Sequence, residues 1–259
     1  MTEIEDASNL LSKTIQRYTG DAATYLGFDK GSYPGDTLMQ TLWNVSPYFF
    51  TGYYLDSPNA FSKSWMGNRT TLKNMGWGFL VIYVGQLSPD PNYPKRKSDL
   101  NFEQGGADAA NAFDVAQNEG FPNGTIIFLD IENTESILPT DMINYFKGWM
   151  DYFIKNEQYN PGVYCFTKLA QKLTDTAQEV YQSNIKNGSP AFWVFAPDKK
   201  KFKLTDSPAK ADATFTSASV WQGKKKYPEK SFSKGVVLPP NFDNTIDINV
   251  AYTPNPSNG

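Results

Sequence analysis

At 259 residues the chain suits one large α/β barrel or two small domains, and its 40% hydrophobic and 20% charged residues are ordinary for a folded domain. Lys plus Arg number 24 and Asp plus Glu 27, so the net charge of -3 gives no basic surface to argue for nucleic acid. Histidine is absent, which excludes Ser-His-Asp and Cys-His catalysis and every His-ligated metal site, and leaves acid–base chemistry to Asp, Glu, Tyr, Lys or Cys.

Residues 1–22 begin polar and acidic, with a weak helical stripe of Ile4, Leu10, Leu11 and Ile15, and read as a helical arm. They hold no apolar signal-peptide core, and no run of about 18 apolar residues follows anywhere, so no membrane span is expected. From residue 23 to 252 short apolar runs alternate with polar loops and helical stretches, the pattern of a parallel sheet with crossover helices. Eight strands are predicted, over 24–29, 48–55, 77–84, 125–132, 162–166, 191–196, 217–222 and 245–250. Their number and spacing predict a single (β/α)8 barrel of the TIM type.

Three helices stand out between the strands. Residues 104–119 are rich in Ala and close on Gly120, a C-terminal stop signal. Residues 141–156 start at a cap from Thr140 or Asp141 and carry an apolar stripe of Met142, Tyr145, Phe146, Trp149 and Phe153. Residues 168–181 form the third. Segments 197–216 and 223–244 read as loops, so the helices after strands six and seven are expected to be weak or degenerate. Their lysine patches, 199–203 and 224–226, read as solvated. Residues 253–259, Pro-Asn-Pro-Ser-Asn-Gly at their end, are expected to fray as a flexible tail.

The sharpest local feature is Leu129-Asp130-Ile131-Glu132, an apolar strand ending in two acids. Spacing of i, i+2 puts both side chains on one face of a strand, with Cα atoms roughly 6.5–7 Å apart. Two such carboxylates at a partly dry barrel mouth resist double ionisation, and one is expected to keep its proton near neutral pH. A general acid beside a second carboxylate is the pair that glycoside hydrolysis needs. Other strand ends add candidates. Asp29 follows Gly27-Phe28, Asp56 follows Tyr54-Leu55, and Gln86 follows Val84-Gly85. On the last strand Ile246, Ile248 and Val250 alternate outward, which turns Asp247 and Asn249 inward. Each of these reads equally as a turn residue or a hydrogen-bonded strut. The aromatic share of 15% supplies either core packing or stacking faces for sugar rings. Cys165, in an apolar run and the chain's one cysteine, reads as a buried structural thiol. No EF-hand loop or P-loop is present, and no metal or cofactor is expected. The loop over 87–103 is too long for a connector and reads as a lid or groove wall.

These residues resemble the glycoside-hydrolase-like domains related to family-25 lysozymes, the muramidases that cut peptidoglycan. The likeness is collinear from about residue 26 to 251. It includes Gly27-Phe28-Asp29, the Ala-rich helix near Gly106, Asp130-Ile131-Glu132, Pro161-Gly162-Val163-Tyr164, Phe192-Trp193-Val194, Val220-Trp221-Gln222 and Ile246-Asp247-Ile248-Asn249. The resemblance implies Glu132 as general acid and Asp130 as its carboxylate partner, with Asp29 and Asp247 completing the cluster. It implies a sugar-binding surface drawn from Tyr54, Asp56, Gln86, Tyr164, Trp193, Trp221 and Gln222, core packing being the other reading of the two tryptophans. The expected partner is a polysaccharide, peptidoglycan or a related glycan, met by a monomer outside the cytoplasm. After Asp29 the run Lys30-Gly31-Ser32-Tyr33-Pro34-Gly35 is closer to a less characterised hydrolase-like branch, and insertions at 56–68, 87–103 and 197–216 lengthen the chain. Two functions follow: a glycosidase, or a carbohydrate-binding barrel without turnover.

Overall fold

A computed structural model describes residues 24–46, 48–132, 137–195, 215–228 and 245–259. Eight strands close into a barrel in sequence order: β1 (Tyr25–Asp29), β2 (Tyr48–Tyr54), β3 (Gly78–Tyr83), β4 (Ile126–Asp130), β5 (Asn160–Phe166), β6 (Ala191–Phe195), β7 (Ala218–Pro228) and β8 (Thr245–Ala251). Five helices lie between the first six strands: α1 (Asp36–Val45), α2 (Arg69–Met75), α3 (Phe102–Asn118), α4 (Thr140–Asn156) and α5 (Thr167–Ser183). The helical arm over 1–22, the connections after β6 and β7 over most of their length, and the 199–203 lysine patch lie outside the described residues.

Strand alternation sorts the side chains into two apolar layers. Leu26, Phe28, Tyr53, Val81, Leu129, Val163, Val194 and Trp221 face outward and pack with the helices. Phe50, Leu80, Ile82, Phe128, Tyr164, Trp193 and Val220 face inward and fill the barrel. Small residues make this interior possible. A Cβ on Gly27 would stand 2.3 Å from the Phe50 ring, and one on Gly162 2.7 Å from Phe128. The lumen is therefore a packed core, closed below the mouth, and the strand ends above it carry the chemistry.

Three sequence expectations need correction. The sheet is not wholly parallel: β8 runs antiparallel to both β1 and β7. β7 also continues to Pro228, six residues past its expected end, along β8, so 223–228 are strand backbone rather than loop. The tail does not fray. Ser257 is fully buried and joins β3 to β4: its N–H donates to Phe79 O (2.9 Å), its hydroxyl oxygen accepts from Val81 N (2.8 Å), and its carbonyl accepts from Ile126 N (2.8 Å). The tail thus satisfies backbone groups where β3 and β4 have not yet paired.

The helix ends follow local chemistry. Asn101 caps α3 by accepting from Gln104 N at 2.8 Å. Gly120, at φ 75°, ends it with Phe121 N–H bonded to Ala116 O and Gly120 N–H to Gln117 O, the paired pattern of a Schellman stop. α4 begins one residue earlier than expected, with Pro139 at the cap position and no side-chain cap; the Asp141 carboxylate accepts from Met142 N instead.

Candidate active site

The mouth of the barrel opens into a cleft of ≈ 1140 Å³. Asp29 from β1, Asp130 from β4, Glu132 just beyond β4 and Asp247 from β8 all line it, with Tyr54 from the end of β2. Asp29 and Asp130 are buried, Asp247 is half-buried and Glu132 is exposed. Alternation explains the set. Phe128 and Asp130 share the inward face of β4, Glu132 follows two residues past its end, and Asp29 stands opposite Asp247 in the β1–β8 register.

Among the described residues three side chains donate to Asp29. Its Oδ1 accepts from Tyr54 Oη at 2.7 Å, and its Oδ2 accepts from Asn249 Nδ2 at 2.7 Å and Gln222 Nε2 at 3.1 Å. Both amides are oriented from behind. Tyr164 Oη donates to Gln222 Oε1 at 2.7 Å, and Trp193 Nε1 donates to Asn249 Oδ1 at 2.8 Å. Each of those donors fixes an amide oxygen, so each NH2 must turn toward Asp29. A carboxylate is acceptor-only when ionised, and these aimed donors hold it in one place. Gly52 leaves the space: a Cβ there would lie 2.5 Å from Asp29 Cβ.

Burial, and after it the negative charge of Asp29 and Asp130, pushes the Tyr54 hydroxyl well above its ordinary pKa. Burial does the same to Tyr164, helped by Asp130, Glu132, Asp29 and Asp247 in that order. Both phenols therefore stay protonated and keep donating. The four carboxylates that act on Tyr164 are the four that line the cleft. Burial also pushes the Cys165 thiol up, and that residue packs outside the barrel, away from the acids. Among the described residues no group of three or more Cys, Asp or Glu side chains is placed to hold a metal ion, and no helix is long and apolar enough to cross a membrane.

The remaining expected residues divide. Tyr164 and Gln222 sit beneath the cleft, where they position Asp29 rather than meet a ligand. Trp193 is buried at 1% exposure, one layer down, with its ring 4.3 Å from that of Tyr164. Trp221 packs in the outer layer and cannot be a sugar wall, because Gln222 beside it faces inward and neighbours on a strand face opposite ways. Asp56 is outside the cleft lining, in an ion pair with Lys63 at 2.6 Å. Gln86 is buried behind the wall. Its Nε2 donates to Asp108 Oδ2 at 3.2 Å and its Oε1 accepts from Asp99 N at 3.1 Å, which ties the loop after β3 to α3. Asp108 is held further by Tyr145 Oη, 2.5 Å, and Gln104 Nε2, 2.8 Å.

Residues not singled out from the sequence complete the cleft. Phe61 comes from the loop after β2, and Tyr93, Lys95 and Arg96 from the loop after β3. Loop length alone pointed to these segments, since nothing in an irregular stretch says which side chains face a groove. Asn249 was legible as an inward polar residue, but its role required the position of Asp29, more than two hundred residues away in sequence.

No curated protein matches the chain. Among solved structures, an uncharacterized B. stearothermophilus protein superposes with a TM-score of 0.56 at 19% identity, covering 88% of this chain and 95% of that one. The glycosyl hydrolase 25 virulence factor GHIP of Streptococcus pneumoniae gives 0.55 at 13% identity, with 94% and 92% covered. The modular autolysin LytC of the same organism, solved with a synthetic peptidoglycan ligand, gives 0.54 at 14% identity, covering 88% of this chain but 46% of its own. At these identities the likeness is one of fold. The model of one sequence family matches residues 41–237, more than half of the chain, and the chain belongs to that family, the Rv2525c-like, glycoside hydrolase-like domain.

Proposed function

We propose that this chain is a glycosidase acting on a β-linked aminosugar polymer, with peptidoglycan the best fit, and that Glu132 is its general acid. The observation that carries the reading is the convergence of Asp29, Asp130, Glu132 and Asp247 on one cleft. Glu132 is the exposed member, placed to reach the glycosidic oxygen of a bound chain and donate a proton to it. Asp130, two residues earlier at the end of β4 and more deeply set, faces the positive charge that develops on the sugar. Asp29 is held in place by its donors and needs no reorganisation during the reaction, and Asp247 stands next to it in register. Tyr54 and Tyr164 remain neutral donors beneath them. The LytC complex with a peptidoglycan ligand supports the choice of polymer. The reading places the protein outside the cytoplasm, working as a monomer.

The test is release of reducing sugar from purified peptidoglycan and from chitin oligomers, with wild type and Glu132→Gln in parallel. Glu132→Gln should lose about 10²- to 10⁴-fold in turnover while glycan binding persists. Binding without turnover in the wild type would instead identify a carbohydrate-binding barrel.

A further inference from the structure

The acids occupy the strand ends, yet the loops that bound the same cleft carry opposite chemistry. Phe61 is 82% exposed and Tyr93 62% exposed, and both rings line the cleft, where they offer apolar faces. Lys95 and Arg96 follow Tyr93, and all four line the cleft. Among the described residues Lys95 forms no ion pair. Arg96 lies over the Tyr93 ring at 5.2 Å and uses Nη1 on Ser88 O at 3.2 Å, with Asp90 at 3.8 Å. The Arg96 side chain is 18% exposed, so part of its five-donor fork faces the cleft.

This wall is built rather than floppy. Asn59, from the loop after β2, donates through Nδ2 to Gly85 O at 2.7 Å and Lys97 O at 2.8 Å, and its Oδ1 accepts from Lys97 N at 2.8 Å. Leu87 N–H closes the base of the second loop on Lys97 O at 3.0 Å. Gln86 fastens the same loop from below through Asp99 and Asp108. One asparagine thus makes the two loops a single body. Within it, turns from Asp90 to Tyr93 and from Tyr93 to Arg96 set the positions of the ring and the cations.

Taking the proposed glycosidase reading as its basis, we infer that this wall is a specificity site for an acidic glycan. A sugar ring stacks on Tyr93 or Phe61, and a carboxylate or phosphate on that ring or its substituent is met by Lys95 and Arg96. Rigid aromatic platforms accept the apolar face of a pyranose, and an arginine fork matches a planar anion. A neutral chitin-like chain would use the platforms alone. The acids at the strand ends repel a free anion, so the charged substituent has one favourable end of the cleft, which sets the direction in which the chain lies.

The experiment is calorimetric titration of the Glu132→Gln protein with N-acetylglucosamine oligomers of one length. One set is neutral, one carries a carboxylate ether on alternate rings, and one carries a phosphate ester there. The acidic oligomers should bind about fivefold more tightly than the neutral one, and rising salt should erase the preference. Lys95→Glu should reduce that preference while leaving neutral binding intact, Arg96→Gln should reduce the preference as well, and Lys172→Glu, outside the cleft, should not. Stronger binding of one acidic set names the acid recognised. Equal affinity for neutral and acidic oligomers, or a preference untouched by Lys95→Glu and Arg96→Gln, overturns the inference and leaves the glycosidase reading standing. Failure of every oligomer to bind overturns both.

Discussion

Asp29 accepts from Tyr54, Gln222 and Asn249 at 2.7, 3.1 and 2.7 Å, and the two amides are held by Tyr164 and Trp193. The arrangement works because every polar atom in it has one compatible role. Asn249→Asp tests that logic at constant size. The new carboxylate would still accept from Trp193 but would face Asp29 Oδ2 with a second acceptor. Like charges this close cannot both persist, so one must take up a proton from solvent. The variant should lose about 3–5 kcal/mol at neutral pH. The raised folded-state pKa of the pair fixes the sign of the pH dependence: the neutral form is favoured at low pH, so the deficit shrinks as pH falls toward 4 and grows above it. Urea unfolding at pH 4.5 and 7 measures this, and a deficit independent of pH would mean that the two carboxyls do not interact.

Elements were legible to the degree that a period could express itself. The strands were readable because β-branched and aromatic residues alternate with small or polar ones, and the acids that end β1 and β4 mark where the lumen opens. Helices α3, α4 and α5 span four to five turns each and show stripes or stop signals. α1 begins after Gly35 without a side-chain cap, and α2 has seven residues with Arg69 and Leu72 as its buried pair, too short to display a period. Parity was readable and depth was not. Alternation excludes Trp221 and Gln222 from sharing a face, but nothing in the sequence says that Trp193 lies a layer below the cleft. Two helix glycines carry a similar lesson. Gly in a helix interior costs about 1 kcal/mol relative to Ala, which reads as a defect. Here a Cβ on Gly105 would lie 1.9 Å from Tyr145 O, and one on Gly148 1.9 Å from Phe102 O, because α3 and α4 touch backbone to backbone. Gly148→Ala should therefore destabilise by about 1–3 kcal/mol despite its better helix propensity, as a shift in the urea midpoint. Stabilisation would mean that the helices separate freely. Because Gln86 and Tyr145 anchor the cleft wall to this helix pair, the same variant should also loosen the loop after β3.

At the scale of the molecule, the site exists when the barrel is closed. Asp29 comes from the first strand, its donors Gln222 and Asn249 from the last two, and β8 joins β7 to β1 by running antiparallel to both. Closure also buries a set of tyrosines in both layers. Burial pushes Tyr54 and Tyr164 inside the barrel, and Tyr53, Tyr83 and Tyr145 outside it, above the ordinary phenol value of 10.0. Each is an instance of folding that favours the protonated form. The stability tied to that preference is complete below the unfolded value of about 10 and declines above it, because the unfolded chain then releases protons that the native barrel retains. Unfolding free energy should be insensitive to these groups at pH 9 and should fall steeply between pH 10 and 11.5. Each retained proton adds about 1.4 kcal/mol per pH unit to the slope. Tyr164→Phe removes one titrating group along with its bond to Gln222, so it should be less stable than wild type at pH 8 yet decline by one proton's slope less above pH 10. Urea unfolding of both proteins across that range decides the matter. Parallel slopes would mean that the Tyr164 hydroxyl ionises in the folded barrel as readily as in the open chain, and the donor that fixes Gln222 against Asp29 would then be lost in alkali before the fold itself.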